Sequence, residues 1–195
     1  GSTEYAEDLR DRLKDQLVMY VNIDMYMKGR FDPGGVPSLR SFVADVVRDV
    51  PEGAGTVYEG WQASEWARKP AAARQGDMAA FEPDLKALGS GADFVPFQDH
   101  LGVPTLAIEF IGENGYGFGT YHTNYDSRAY AERIADPGFT QGVTMAQVLG
   151  TMALRMSEAD VLPFRFSHYA TKLDEAVTAA EGWARDAGVV VDVAP

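Results

Sequence analysis

The chain has 195 residues, enough for one domain with a sizeable hydrophobic core. An apolar fraction of 46% with 11% aromatic residues is that of a globular protein and excludes wholesale disorder. The formal charge of −12, from 17 basic and 29 acidic residues, argues against nucleic acid or an anionic membrane as partner.

Cysteine is absent, so disulfides and thiolate metal sites are excluded, and any metal must be held by His, Asp or Glu. No run approaches the roughly 18 apolar residues of a membrane span, so no membrane segment is expected. The chain opens at Gly1 without methionine and without a signal-peptide pattern, as a processed or truncated chain would. The compartment stays open on composition alone.

Residues 3–16 are charged with apolar positions at helical spacing, and Thr3 suits a helix start. Residues 17–23 read as a buried strand that ends at Asp24. Asp32-Pro33-Gly34-Gly35 reads as a turn. From Ser38 to Val50, apolar residues at 39, 42, 43, 46, 47 and 50 predict an amphipathic helix stopped by Pro51. Residues 51–90 read as a long surface or functional loop region.

Gly91 to Leu101 predicts a helix with Gly102 as its stop, and Pro104 to Ile111 a second strand. A long loop, 112–125, follows and carries His122. Asp126 or Ser127 can cap a helix to about 135, which Pro137-Gly138 breaks. Helices are then expected over 140–158 and from Ser167 to Ala187. Strands alternating with helices mean an α/β layered fold. Only two or three strands are convincing, so the sheet is expected to be incomplete.

Three histidines can be weighed for chemistry. His122 lies in Gly117-Phe118-Gly119-Thr120-Tyr121-His122, after a strand and a glycine-rich loop, where open α/β sheets place their ligands. A loop histidine bonded to backbone is the plainer alternative. His100 and His168 read as structural or solvated. Asp24 at a strand's end can be a turn or capping residue, or a metal ligand. A carboxylate and an imidazole from two loops suit zinc, and a bridging carboxylate suits a two-metal site.

Several blocks follow one another in a familiar order. They are Leu88-Gly89-Ser90-Gly91-Ala92-Asp93-Phe94, His100-Leu101-Gly102-Val103-Pro104, Tyr121-His122, Asp136-Pro137-Gly138-Phe139, Ala146-Gln147-Val148 and Ala159-Asp160-Val161-Leu162-Pro163-Phe164. With the opening Gly1-Ser2-Thr3-Glu4-Tyr5-Ala6-Glu7, they resemble the glutamate carboxypeptidase II group of zinc exopeptidases, relatives of the transferrin receptor. The resemblance covers about residues 1–175.

It implies a partial three-layer α/β sandwich of the zinc-exopeptidase (phosphorylase/hydrolase-like) kind. Residues 1–160 would be the C-terminal half of a di-zinc peptidase domain, and 161–195 the first helix of a helical dimerisation domain. It also implies two zinc ions in the intact protein, a peptide substrate, a homodimer, and a secreted or periplasmic location.

Carried over residue by residue, Asp24 and His122 are terminal metal ligands, and Tyr121 donates a hydrogen bond to the oxyanion. Ser90, Gly91, Ala92 and Phe118 line the substrate cleft. The family's His-x-Asp and Glu-Glu segments lie upstream of what matches here, so the bridging aspartate and general base are not in this sequence. Where glutamate-specific members carry two arginines, this chain has Ala107 and Glu109, which should not favour an acidic substrate terminus. The expected function is part of a di-zinc aminopeptidase or dipeptidase, inactive as the isolated chain. The alternative is a non-catalytic, receptor-like relative of the same fold.

Overall fold

The computed structural model describes residues 1–112 and 120–189. The amino-terminal helical segment is two helices, α1 (Ser2–Asp8) and α2 (Arg10–Gln16), with a break at Leu9. Strand β1 (Tyr20–Asn22) follows, then β2 (Arg30–Phe31) and β3 (Gly34–Gly35). Helix α3 (Arg40–Arg48) leads to a small hairpin, β4 (Pro51–Glu52) and β5 (Gly55–Thr56), and then to α4 (Val57–Arg68). After a helical turn at Pro96–His100 come β6 (Thr105–Ala107) and β7 (Phe110–Ile111). The chain ends in α5 (Arg128–Tyr130), α6 (Thr140–Ser157) and α7 (Ser167–Asp186).

The main sheet has the order β1-β6-β3, parallel between β1 and β6 and antiparallel between β6 and β3. Mixed helix and sheet agree with the α/β class expected from the sequence. The parallel pairing puts both strands' carboxyl ends on one side, and that side receives Asp24.

Helix α3 and the residues flanking it supply the core. Leu39, Phe42, Val43, Val46, Val47 and Val50 are all buried, the six positions singled out by helical spacing. They pack with Leu106, Ile108 and Phe110 from the sheet and with Met145, Val148 and Met152 from α6. Burial of a side chain of this size is worth about 1.5–3 kcal/mol, so this one seam stabilises the fold more than any surface pairing.

Five expectations need correction. Residues 51–90 are not a loop region, because α4 and the β4–β5 hairpin lie there. Its start is a capping box: Glu59 N–H donates to Thr56 Oγ1 at 3.2 Å and Thr56 N–H donates to Glu59 Oε2 at 2.9 Å. Trp61, Val57 and Tyr58 then anchor it in the core. Second, Gly34-Gly35 is strand, not turn. A Cβ on Gly35 would lie 2.5 Å from Leu106 Cδ2 and 2.9 Å from the Thr105 carbonyl oxygen, so only glycine lets the strands approach this closely.

Third, the strand expected from Pro104 to Ile111 is split. Ile108 N–H donates to the Asn22 carbonyl, while the Glu109 carbonyl accepts from Asp32 N–H, so β7 leaves the main sheet and pairs with β2. Fourth, Gly91 to Leu101 folds as turns around the single helical turn at 96–100, although Gly102 does stop it with φ 69°. The run from Leu17 is likewise a strand only over Tyr20–Asn22.

Candidate functional site

Strand β1 ends at the buried Asn22 and delivers Asp24, exposed, to the carboxyl edge of the sheet. The next residues run beside β7, with Met27 N–H donating to the Phe110 carbonyl at 3.0 Å. Facing them is an arm, residues 120–139. Two turns open it: Thr123 N–H donates to the Thr120 carbonyl at 3.0 Å, and Asp126 N–H to the Thr123 carbonyl at 3.1 Å. Ser127 Oγ then caps α5 by accepting from Tyr130 N–H at 3.3 Å.

Between them lies a cavity of about 280 Å3, to which one side contributes Asp24, Tyr26 and Met27 and the other Tyr121, Asp126, Tyr130 and Asp136. No lysine or arginine is among its described lining residues. Tyr121 is half exposed, and its ring stacks on His122 at 3.7 Å between centroids and 22° between planes. His122 has φ 58°, a left-handed backbone that a non-glycine residue adopts at some cost. Asp24 and Tyr121 therefore share one cavity, and His122 is held against Tyr121.

The other sequence-predicted residues lie apart. Ser90, Gly91 and Ala92 form a loop that is not among the residues lining this cavity. Gly91 turns it with φ 98°, and Asp93 holds its end by accepting from Ser2 Oγ at 2.8 Å. Phe118 lies outside the described residues. His100 is exposed at the end of its helical turn, and His168 Nε2 lies 2.9 Å from Ser41 Oγ, tying α7 to α3. Tyr26 and Tyr130 were not singled out in the sequence, and Asp126 and Asp136 were read there only as a helix-cap candidate and as part of a matching block, not as cavity residues.

Carboxylates dominate the electrostatics of this edge. Burial and the nearby Asp24 and Asp32 raise the Glu109 carboxyl above its ordinary range, and Lys86 offsets this in part. Burial, then Asp93 and Asp24, likewise raise the Tyr20 phenol. Lys86 and Arg68 are themselves drawn to Asp32.

A zinc site needs three protein ligands or more. Among the described residues no three His, Asp or Glu side chains come together to hold a metal. The described donors therefore do not by themselves complete a zinc site.

A small mixed sheet with a strand-end aspartate opposite an aromatic, histidine-bearing arm describes an α/β domain with a cavity at the carboxyl edge of its sheet. No family model matches the chain. It is 33% identical over 177 residues to a protein named Probable glutamate carboxypeptidase LAMP1 from Arabidopsis thaliana, covering 89% of this chain and 23% of that protein. It is 30% identical over 179 residues to Probable glutamate carboxypeptidase VP8 from Zea mays, covering 90% of this chain and 23% of the relative. With Aminopeptidase NAALADL1 from Mus musculus it shares 26% identity over 190 residues, 93% of this chain and 25% of the relative. The chain belongs to the glutamate carboxypeptidase II and transferrin receptor-like family. It spans about a quarter of the length of these relatives.

Proposed function

We propose that this chain is part of the catalytic domain of a di-zinc exopeptidase, an aminopeptidase or dipeptidase acting on peptides. The observation that carries it is the shared cavity of Asp24 and Tyr121, with His122 stacked on Tyr121. In this reading Asp24 and His122 are one terminal ligand each for two zinc ions. The remaining ligands and the general base belong to other residues of a longer protein. The Tyr121 hydroxyl donates to the oxyanion that forms at the scissile carbonyl, a bond that strengthens as charge develops. The architecture would be the three-layer sandwich of that family, with a dimerisation domain beginning near Val161 and a homodimer as its assembly.

Specificity follows from charge. The cavity has no described cationic side chain, and by the family resemblance Ala107 and Glu109 stand where the glutamate-specific members carry two arginines. A terminal glutamate would meet carboxylates instead of guanidinium forks, so the protein should not release glutamate. Ser90, Gly91, Ala92 and Phe118 remain proposed substrate contacts in this reading.

The test uses the full-length protein, assayed on neutral and acidic dipeptides with zinc content measured in parallel. His122→Ala should lower bound zinc and abolish turnover. Tyr121→Phe should keep zinc while lowering kcat by about 10²–10³-fold. Full zinc and full activity in His122→Ala would overturn the ligand assignment, and efficient release of glutamate would overturn the specificity. Absence of zinc and of turnover in the unmodified protein would favour the receptor-like alternative.

A further inference from the structure

Asp136 is the one buried charged side chain among the described residues, 1% exposed. A carboxylate so placed is costly unless its oxygens are satisfied, and here they are. Oδ1 accepts from Gln141 N–H at 3.0 Å and from Thr140 Oγ1 at 3.4 Å, and Oδ2 accepts from Gly142 N–H at 2.8 Å. Those amides belong to the first turn of α6, where the helix dipole also favours a negative charge. The chain reverses just after Asp136, with Gly138 at φ 81° and Phe139 at φ 55°. The carboxylate thus fastens the end of the arm to an 18-residue helix that is itself rooted in the core.

Residues 121–129 are all exposed, and the described turns that open the arm close on backbone groups within it. It meets the Asp24 side of the cavity through Lys28 N–H, which donates to the Ala135 carbonyl at 2.6 Å, next to Asp136. The Tyr26 ring completes the junction by lying against the first turn of α6. A Cβ on Gly142 would come within 2.9 Å of Tyr26 Cε2. Asp136 and Tyr26 also line the cavity that holds Asp24 and Tyr121.

We infer that Asp136 is a positioning residue of the candidate site: its carboxylate, bound to the α6 N-terminus, sets where the Tyr121-bearing arm stands relative to Asp24. This rests on the peptidase reading for its effect on turnover, but its effect on the arm can be read without any activity.

Hydrogen exchange on this chain is the first measurement. In Asp136→Ala the amides of residues 120–135 should exchange faster, while those of α3 keep their protection. Asp136→Asn retains one accepting oxygen, so its arm should exchange at an intermediate rate. In the full-length protein, Asp136→Ala should lower kcat by about 10-fold or more with KM little changed, since small misplacements of catalytic groups are expensive in rate. Asp136→Asn should recover part of that loss.

Unchanged arm exchange in both variants would overturn the inference. So would equal loss of protection in α3, which would mark Asp136 as a stabilising cap alone. If Asp136→Ala does not fold, Asp136→Asn decides: wild-type exchange in its arm would overturn the inference, and an intermediate rate confined to the arm would support it. An inactive, zinc-free unmodified protein would sink the peptidase reading while leaving the exchange result to stand.

Discussion

Helices α3 and α7 are built from similar material and end in opposite situations. α3 is 9 residues long and buries Phe42, Val43, Val46 and Val47. α7 is 20 residues long, and none of its residues is buried. Its apolar residues Tyr169, Leu173, Val177 and Trp183 are all exposed. α3 packs into one core with the sheet, α4 and α6, so its spacing of apolar residues is answered by neighbours. α7 touches the fold mainly at its start, through His168 with Ser41 and through Lys172 with Asp84. A periodic apolar pattern therefore identifies a helix, but only its neighbours decide whether the pattern is core.

The largest effect should come from the α3 side. Trp61 packs edge-on against Phe31 at 5.8 Å and Tyr58 at 6.4 Å, and is 1% exposed. Trp61→Ala should cost about 3–5 kcal/mol, because neighbours this large cannot collapse into the space it leaves. Chemical denaturation would measure it. A loss under about 1 kcal/mol would mean that α4 is not part of the core.

That helix also marks the limit of what the sequence disclosed. α3 was legible because six apolar positions fell on one helical face. α4 was not, because only Val57, Tyr58 and Trp61 are buried along its 12 residues and its polar remainder looks like loop. Its capping box, Thr56 with Glu59, was the available signal. At the site, Asp24 was legible as a strand-end carboxylate and Tyr121-His122 as an aromatic pair after a glycine-rich loop. The way the two walls come together was not, since Tyr26 and Asp136, far apart in sequence, reach one cavity only through the tertiary fold.

A smaller effect, with its sign set by pH, belongs to Glu109 at the junction of core and site. Burial and neighbouring carboxylates raise its folded pKa, so ionisation opposes folding there. Below the ordinary carboxylate range both folded and unfolded forms are protonated and nothing is lost. The penalty grows as pH rises through that range and is complete above the raised folded value. Glu109→Gln should therefore raise Tm at neutral pH, and the gain should vanish in acid. Thermal melts across that range would check it, and a lower Tm at neutral pH would show that the charged form has a stabilising partner.

The smallest effect is expected on α7. Leu173 is 64% exposed, so Leu173→Ala removes little surface that folding had taken from water. At low protein concentration the change in stability should stay within about 0.5 kcal/mol. The contrast with Trp61→Ala can be broken in one informative way. If α7 pairs with another copy, Leu173 is buried in the assembly, and its loss should become larger as protein concentration rises. Denaturation at two concentrations, with light scattering on the same samples, separates the cases. A concentration-independent monomer would make α7 an uncovered helix in this chain, and would count against self-association as proposed. A cost that grows with concentration would place α7 beside α3 as a buried helix, covered by a second molecule in place of a sheet.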